Sequence, residues 1–207
     1  MEKLQYISQG KTPDEHLYNI IKVCKAGGKW IQLRLKDVDL ATSINTAIRC
    51  REICDQFGAI MIVNDKVDVA KIVGADGVHL GLQDMNPKDA RNVLGDNFII
   101  GGTANTVDHC LQHSEAGVNY IGLGPFRFTT TKKELSPVLG IEGYEQILKE
   151  LKNNIVNVPI VAVGGIKQED IDILMRIGIS GVAVSGMLTK DENLKERINT
   201  IKNTLNS

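Results

Sequence analysis

At 207 residues the chain suits one domain, and 43% apolar residues are enough for a substantial core. Twenty-four basic residues against 25 acidic ones give a formal charge of −1, which excludes a broad basic face for nucleic acid and an acidic tail. No stretch approaches the ~20 apolar residues of a membrane span, and the start, Met1-Glu2-Lys3-Leu4-Gln5-Tyr6, has no apolar run of secretory-signal length, so a cytoplasmic protein without membrane or nucleic-acid partners is expected.

Eight short apolar runs begin near Leu4, Trp30, Ala59, Gly77, Phe98, Tyr120, Pro159 and Gly181, with a helical segment after each. The first run, ending at Ser8, says least. Thr12 is the expected cap of a helix over Pro13–Ala26, stopped by Gly27 and Gly28. The second helix covers Leu40–Phe57 and the third Val67–Val73, each followed by glycine. The fourth starts at Pro87 behind Asn86, and the fifth follows Asn105-Thr106 and stops at Gly117. The last three are expected over Gly143–Lys152, Gln168–Ile177 and Glu192–Leu205. Strands alternating with helices imply a parallel sheet with right-handed crossovers. Eight units favour closure into a single-domain α/β barrel of the (β/α)8 TIM type over residues 1–207, short against the roughly 250 residues usual for it.

The four cysteines (24, 50, 54 and 110) fall in helices and read as small core residues. His109 and His113 lie four apart and could share a helix face, but without the third ligand and base of a zinc motif they read as a solvated face. A connection of about fifteen residues, Phe126–Gly140, breaks the pattern of short loops, and long loops in such folds are often functional. Its hydroxyls and ammonium groups, Thr129-Thr130-Thr131-Lys132-Lys133, suit an anion clamp that could fold over a bound substrate.

Barrels of this kind keep their chemistry at the strand C-terminal ends. In the second strand Gln32, Arg34 and Lys36 alternate with Ile31, Leu33 and Leu35. The apolar set should meet the helices, so the polar set should face the bore, where cations call for an anion or an internal ion pair. Asn64-Asp65 ends the third strand and Asp84 follows the fourth. Two carboxylates there could hold Mg²⁺ together with phosphate oxygens; Asp65 could instead cap the third helix. Glycines at the ends of the seventh and eighth strands, Gly164-Gly165 and Ser185-Gly186, allow backbone N–H groups to approach a phosphate. Two anion sites result, one metal-free for a monophosphate and one with cations and a carboxylate-bound Mg²⁺ for a diphosphate. That combination suits a transferase that joins a diphosphate-activated fragment to a phosphorylated acceptor.

In order and spacing, Gln32-x-Arg34-x-Lys36, Asn64-Asp65, Ala75-Asp76-Gly77-Val78-His79-Leu80-Gly81 leading to Asp84, Gly122-Leu123-Gly124-Pro125 with Thr129-x-Thr131-Lys132, and Val163-Gly164-Gly165-Ile166 resemble the thiamine phosphate synthase family over essentially the whole chain. The resemblance implies joining of hydroxymethylpyrimidine diphosphate to hydroxyethylthiazole phosphate by a dissociative reaction that releases pyrophosphate. It implies Asp65 and Asp84 as Mg²⁺ ligands, and Arg34, Lys36, Asn64 and Lys132 around the diphosphate. Gln32 would contact the pyrimidine, Thr103 the reacting region, and Thr129, Thr131, Gly165, Val184 and Ser185 the thiazole phosphate. Two departures stand out: Gly81-Leu82-Gln83-Asp84 where relatives carry Gly-Gln-x-Asp, and Thr103 where many carry Ser. The alternatives are a thiazole tautomerase-like barrel and a non-catalytic ligand-binding barrel. The partners expected are the two small-molecule substrates, and a homo-oligomer is compatible with the sequence.

Overall fold

Each apolar run forms a strand: β1 (Leu4–Ile7), β2 (Trp30–Leu33), β3 (Ile60–Asn64), β4 (Gly77–Leu80), β5 (Ile99–Ala104), β6 (Tyr120–Leu123), β7 (Ile160–Val163) and β8 (Gly181–Val184). The computed structural model describes residues 2–129 and 136–207. All neighbouring strands pair parallel, and β1 pairs with β8 through Leu4–Val182, Gln5–Ala183 and Tyr6–Val184, so the sheet closes into an eight-stranded barrel. Between the strands run α1 (Pro13–Lys25), α2 (Leu40–Phe57), α3 (Val67–Val73), α4 (Pro87–Leu94), α5 (Val107–Glu115), α6 (Gly140–Asn153) and α7 (Ile171–Arg176); α8 (Gly186–Thr189) and α9 (Leu194–Asn206) follow β8. This is the (β/α)8 barrel expected from the sequence.

The local signals for helix starts act as capping chemistry requires. The hydroxyls of Thr12 and Thr106 accept from Glu15 N–H and His109 N–H, both at 3.2 Å, and the Asn86 side chain accepts from Lys88 N–H at 2.9 Å. One helix start and one whole element stand out against expectation. Helix α6 begins at Gly140 rather than Gly143, because Gly140 N–H donates to Phe126 C=O at 3.0 Å and closes the long loop at that point. The sequence also gave no sign of α8, a single turn.

The core divides by strand face. Outward residues such as Leu4, Tyr6, Ile31, Leu33, Met61, Val63, Val182 and Val184 pack under the helices, with all four cysteines buried among them as free thiols. Inward residues Trp30, Ile62, Tyr120, Val161 and Ala183 plug the bore, supported by Ile7, Ile60, Ile99 and Val163. Trp30 and Tyr120 meet edge to face, 4.9 Å between ring centres at 77°, the geometry their ring quadrupoles favour. Opposite them β5 and β6 carry glycine. A Cβ on Gly101 would lie 2.2 Å from the Tyr120 ring, and one on Gly122 would lie 2.9 Å from His79. Space for the two rings is thus written into the neighbouring strands.

The histidine pair on α5 is not a solvated face. His113 is buried and its Nε2 donates to Thr103 C=O at 2.8 Å, in space left by Gly102, whereas His109 Nδ1 accepts from Asn105 N–H at 3.3 Å. A helix face that covers a strand end can satisfy a carbonyl there, a partner no spacing rule reveals.

Candidate active site

The strand C-terminal ends gather most of the expected residues at one mouth. The polar alternation on β2 holds only in part. Gln32 faces the bore and is buried, but the strand stops at Leu33, and Arg34 and Lys36 lie on the segment beyond it. Arg34 is half-buried there, with its N–H donated to Ser8 Oγ at 3.0 Å. Burial pulls its guanidinium down from the ordinary value, and the charges of Asp65 and Asp37 oppose that shift. Lys36 is exposed and forms an ion pair with Asp65, so the inward cation expected at this position is instead a rim cation with a carboxylate partner. The end of β1, which read as uninformative, is part of this frame: Ser8 Oγ accepts from Arg34 and is bonded to His16 Nδ1 at 2.8 Å.

Asp65 sits in a strained turn. Its φ is +63°, Lys66 N–H donates to Asn64 C=O at 2.8 Å, and its own N–H donates to His79 C=O at 2.8 Å. Such backbone costs about 1–3 kcal/mol and is retained where the surroundings impose it, most often at functional positions. The capping role does not hold: helix α3 starts behind Lys66 with no side-chain cap bond, and the Asp65 carboxylate turns to Lys36. On the adjacent loop Asp84 Oδ2 accepts from Gly81 N–H at 2.7 Å, and Asp84 N–H donates back to Gly81 C=O at 3.2 Å. That closed turn ties Asp84 to Gly81, while Leu82 and Gln83 are exposed. The shifted Gln therefore leaves the carboxylate in place. Partial burial first, and then hydrogen bonding to the Asp65 carboxyl, push the Asp84 carboxyl up; the Gly81 N–H and the charge of Lys36 oppose this. Two neighbouring carboxyls with only hard oxygen donors are a donor pair suited to a divalent cation such as Mg²⁺. Asn64, beside them, is buried with an Nδ2 that has no hydrogen-bond partner.

Across the mouth, Gly165 follows β7 at φ +66°, with Arg127 and Phe128 carbonyls 2.9 and 3.0 Å from where a Cβ would stand. Val184 is buried at the end of β8. Ser185 precedes α8, and its Oγ is buried without a partner, as is Oε1 of Gln9 after β1. A short helix start next to strands seven and eight is a recurrent phosphate cradle in barrels, because first-turn N–H groups have no partner inside the helix. Gln9 and Ser8 are the site residues that sequence reasoning missed. Neither lies in a patterned segment, and only barrel closure brings β1 against β8.

The long connection is tied at both ends. Phe126 and Arg127 N–H donate to Val163 and Gly164 C=O, both at 2.9 Å, and Leu139 N–H donates to Pro125 C=O at 3.0 Å. Asn105 Nδ2 donates to Gly124 C=O at 3.0 Å and to Pro137 C=O at 2.9 Å. Thr129 lies on the entering arm; Thr131 and Lys132 lie outside the described residues. Arg127 grips Asp170 with both terminal nitrogens, at 2.6 and 2.9 Å. Burial pushes the Asp170 carboxyl up, but the Arg127 fork, the Lys167 N–H and the charges of Arg127 and Lys167 together hold it below the ordinary carboxylate value. A depressed carboxyl contributes stability above its unfolded value, and that contribution disappears as pH falls through the folded one. Asp170→Ala is therefore expected to cost about 1–3 kcal/mol at neutral pH, with the difference from the parent shrinking in acid. Urea unfolding at both pH values checks this, and an equal loss at both would contradict it.

A model of the family described as thiamine monophosphate synthase matches residues 4–188. Proteins named thiamine-phosphate synthase from Flavobacterium psychrophilum and Flavobacterium johnsoniae are 51% and 46% identical to this chain; the matches cover 92% and 98% of it and 93% and 96% of them. Among solved structures, the thiamine phosphate pyrophosphorylase from Pyrococcus furiosus has a TM-score of 0.83 at 26% identity, over 99% of this chain and 95% of that one.

Proposed function

The chain belongs to the thiamine monophosphate synthase family and is a transferase, and on that premise we propose that it joins hydroxymethylpyrimidine diphosphate to hydroxyethylthiazole phosphate, giving thiamine phosphate and pyrophosphate with Mg²⁺. The observation that carries this reading is the contact of the Asp65 and Asp84 carboxyls beside Lys36 and Arg34. That mixture of two acids and two cations matches a metal diphosphate better than a neutral ligand. Asp65 and Asp84 would hold Mg²⁺, which when bound offsets charge on the departing diphosphate.

The side chains divide the remaining work. Arg34 and Lys36 would bind diphosphate oxygens, and the unpartnered Nδ2 of Asn64 would donate to another. Lys132, outside the described residues, is assigned to the same group on the resemblance alone. Gln32 would orient the aminopyrimidine, whose electron-rich ring stabilises positive charge at the methylene as the C–O bond to the diphosphate breaks. Thr103 would donate to the diphosphate as it leaves. Thr129, Thr131, Gly165, Val184 and Ser185 would seat the thiazole phosphate so that the ring nitrogen faces the methylene and forms the new C–N bond. No proton has to be removed from that nitrogen, so the chemistry asks for no nucleophile–base pair. Holding both partners in line is what the protein contributes beyond charge.

The test is pyrophosphate release on mixing both substrates with Mg²⁺, beside a sample in which the metal is chelated. Release that needs both substrates and the metal is expected. None under any condition, with a working control synthase alongside, would remove the reading.

A further inference from the structure

Above the apolar plug, five polar side chains from five strands form one hydrogen-bonded chain across the bore: Gln32 (β2), Gln5 (β1), Tyr120 (β6), His79 (β4) and Thr103 (β5). Gln5, Gln32 and Tyr120 are 1%, 2% and 0% exposed, so their partners are one another rather than bulk water. Gln32 Nε2 donates to Gln5 Oε1 at 3.2 Å, and Gln5 Nε2 donates to the Tyr120 hydroxyl at 3.1 Å.

The directions follow from counting hydrogens. Tyr120 has one, and its oxygen already accepts the Gln5 amide N–H. Its own hydrogen is assigned to His79 Nδ1, 3.0 Å away, the ring nitrogen within its reach. In the tautomer whose Nδ1 accepts, the ring hydrogen sits on Nε2, which faces Thr103 Oγ1 at 3.0 Å. Thr103 accepts there and keeps its own hydrogen to give elsewhere. At the other end the Gln32 amide donates to Gln5 Oε1, which leaves its carbonyl oxygen outside the chain of bonds.

We propose that this chain sets the hydrogen-bond polarity of the pocket: Gln5, Tyr120 and His79 are positioning residues that fix Thr103 as a donor toward the leaving diphosphate and Gln32 as an acceptor toward the ring amino group. The inference rests on the substrate reading above and deepens it. Diphosphate oxygens carry only lone pairs and need a donor, whereas an amino group carries hydrogens and needs an acceptor. Both ends of the chain match. With the polarity reversed, Thr103 would turn a lone pair toward the diphosphate and Gln32 an N–H toward the amino group.

The test starts on the full-length, ligand-free protein labelled with ¹⁵N. Long-range ¹H–¹⁵N correlation reads the state of each imidazole nitrogen, and His79→Gln identifies the His79 signals by their loss. A neutral ring with hydrogen on Nε2 and a bare Nδ1 is expected; hydrogen on Nδ1, alone or on both nitrogens, would overturn the inference. Tyr120→Phe keeps the ring in the bore and removes the hydroxyl. It is expected to lower kcat about tenfold, the scale carried by hydrogen bonds behind a ligand, with a smaller change in KM. Thr103→Val should lower kcat similarly, and the double variant should be no slower than the slower single one. Multiplying losses, or an unchanged kcat in Tyr120→Phe, would count against the chain as a unit. If the parent protein releases no pyrophosphate, the substrate reading fails, while the tautomer measurement, made without substrate, still decides the polarity.

Discussion

Asp84→Asn is expected to slow pyrophosphate release by about a thousandfold while leaving the protein folded. The size comes from removing a metal ligand whose ion supplies several kcal/mol of charge stabilisation, at about 1.4 kcal/mol per factor of ten. The tolerance of the fold comes from the turn itself. Asparagine keeps an oxygen to accept the Gly81 N–H, which Asp84 now accepts at 2.7 Å, and the side chain stands at the mouth rather than in the core. It also removes one of two touching carboxyls. A carboxyl held above its unfolded value contributes stability below that value and loses it as pH rises through the folded one. At neutral pH and without metal, the Asn variant should therefore unfold at the same or slightly higher urea concentration than the parent, with any advantage fading in acid. Turnover within about threefold of the parent at saturating Mg²⁺ would show that Asp84 is not a ligand.

Gly101→Ala is expected to destabilise the barrel by crowding the bore. Its Cβ would stand 2.2, 2.5 and 2.6 Å from Cζ, Cε1 and Oη of Tyr120. The ring cannot retreat, because it is fully buried and packed edge to face on Trp30. Overpacking of this kind costs about 1–3 kcal/mol, which for a chain of this size lowers Tm by roughly 2–12 °C. Because the Tyr120 hydroxyl also joins Gln5 to His79, activity should fall even at temperatures where the variant remains folded. In a Tyr120→Ala background the same methyl group should cost much less, since the two side chains compete for one space, and a double-mutant cycle by thermal unfolding would measure that coupling. A Tm within about 1 °C of the parent would mean that the bore is looser than its contacts imply.

The ends of the barrel show where the sequence is legible and where it stops being so. Thr12, Asn86 and Thr106 announce their helices because a cap bonds N–H groups two or three residues away, an interaction contained within one short segment. Asn64-Asp65 and Asp84 could be read for the same kind of reason: each ends or follows an apolar run, and in this architecture strand ends face the chemistry. Strand alternation carried Gln32 correctly into the bore but failed two residues later, where β2 gives way to a loop and period two no longer applies.

By itself, then, the sequence determined the alternation of strands and helices, the caps, and the side on which a site would form, because those depend on neighbours along the chain. Only the tertiary structure decided that Ser8 and Gln9 border the site, that His113 supports Thr103, and that Gln5, Gln32, Tyr120, His79 and Thr103 share hydrogen bonds. The physical reason is closure. Residues up to 115 positions apart meet only when β1 and β8 pair and eight strand faces turn toward one axis, and no local pattern encodes that meeting.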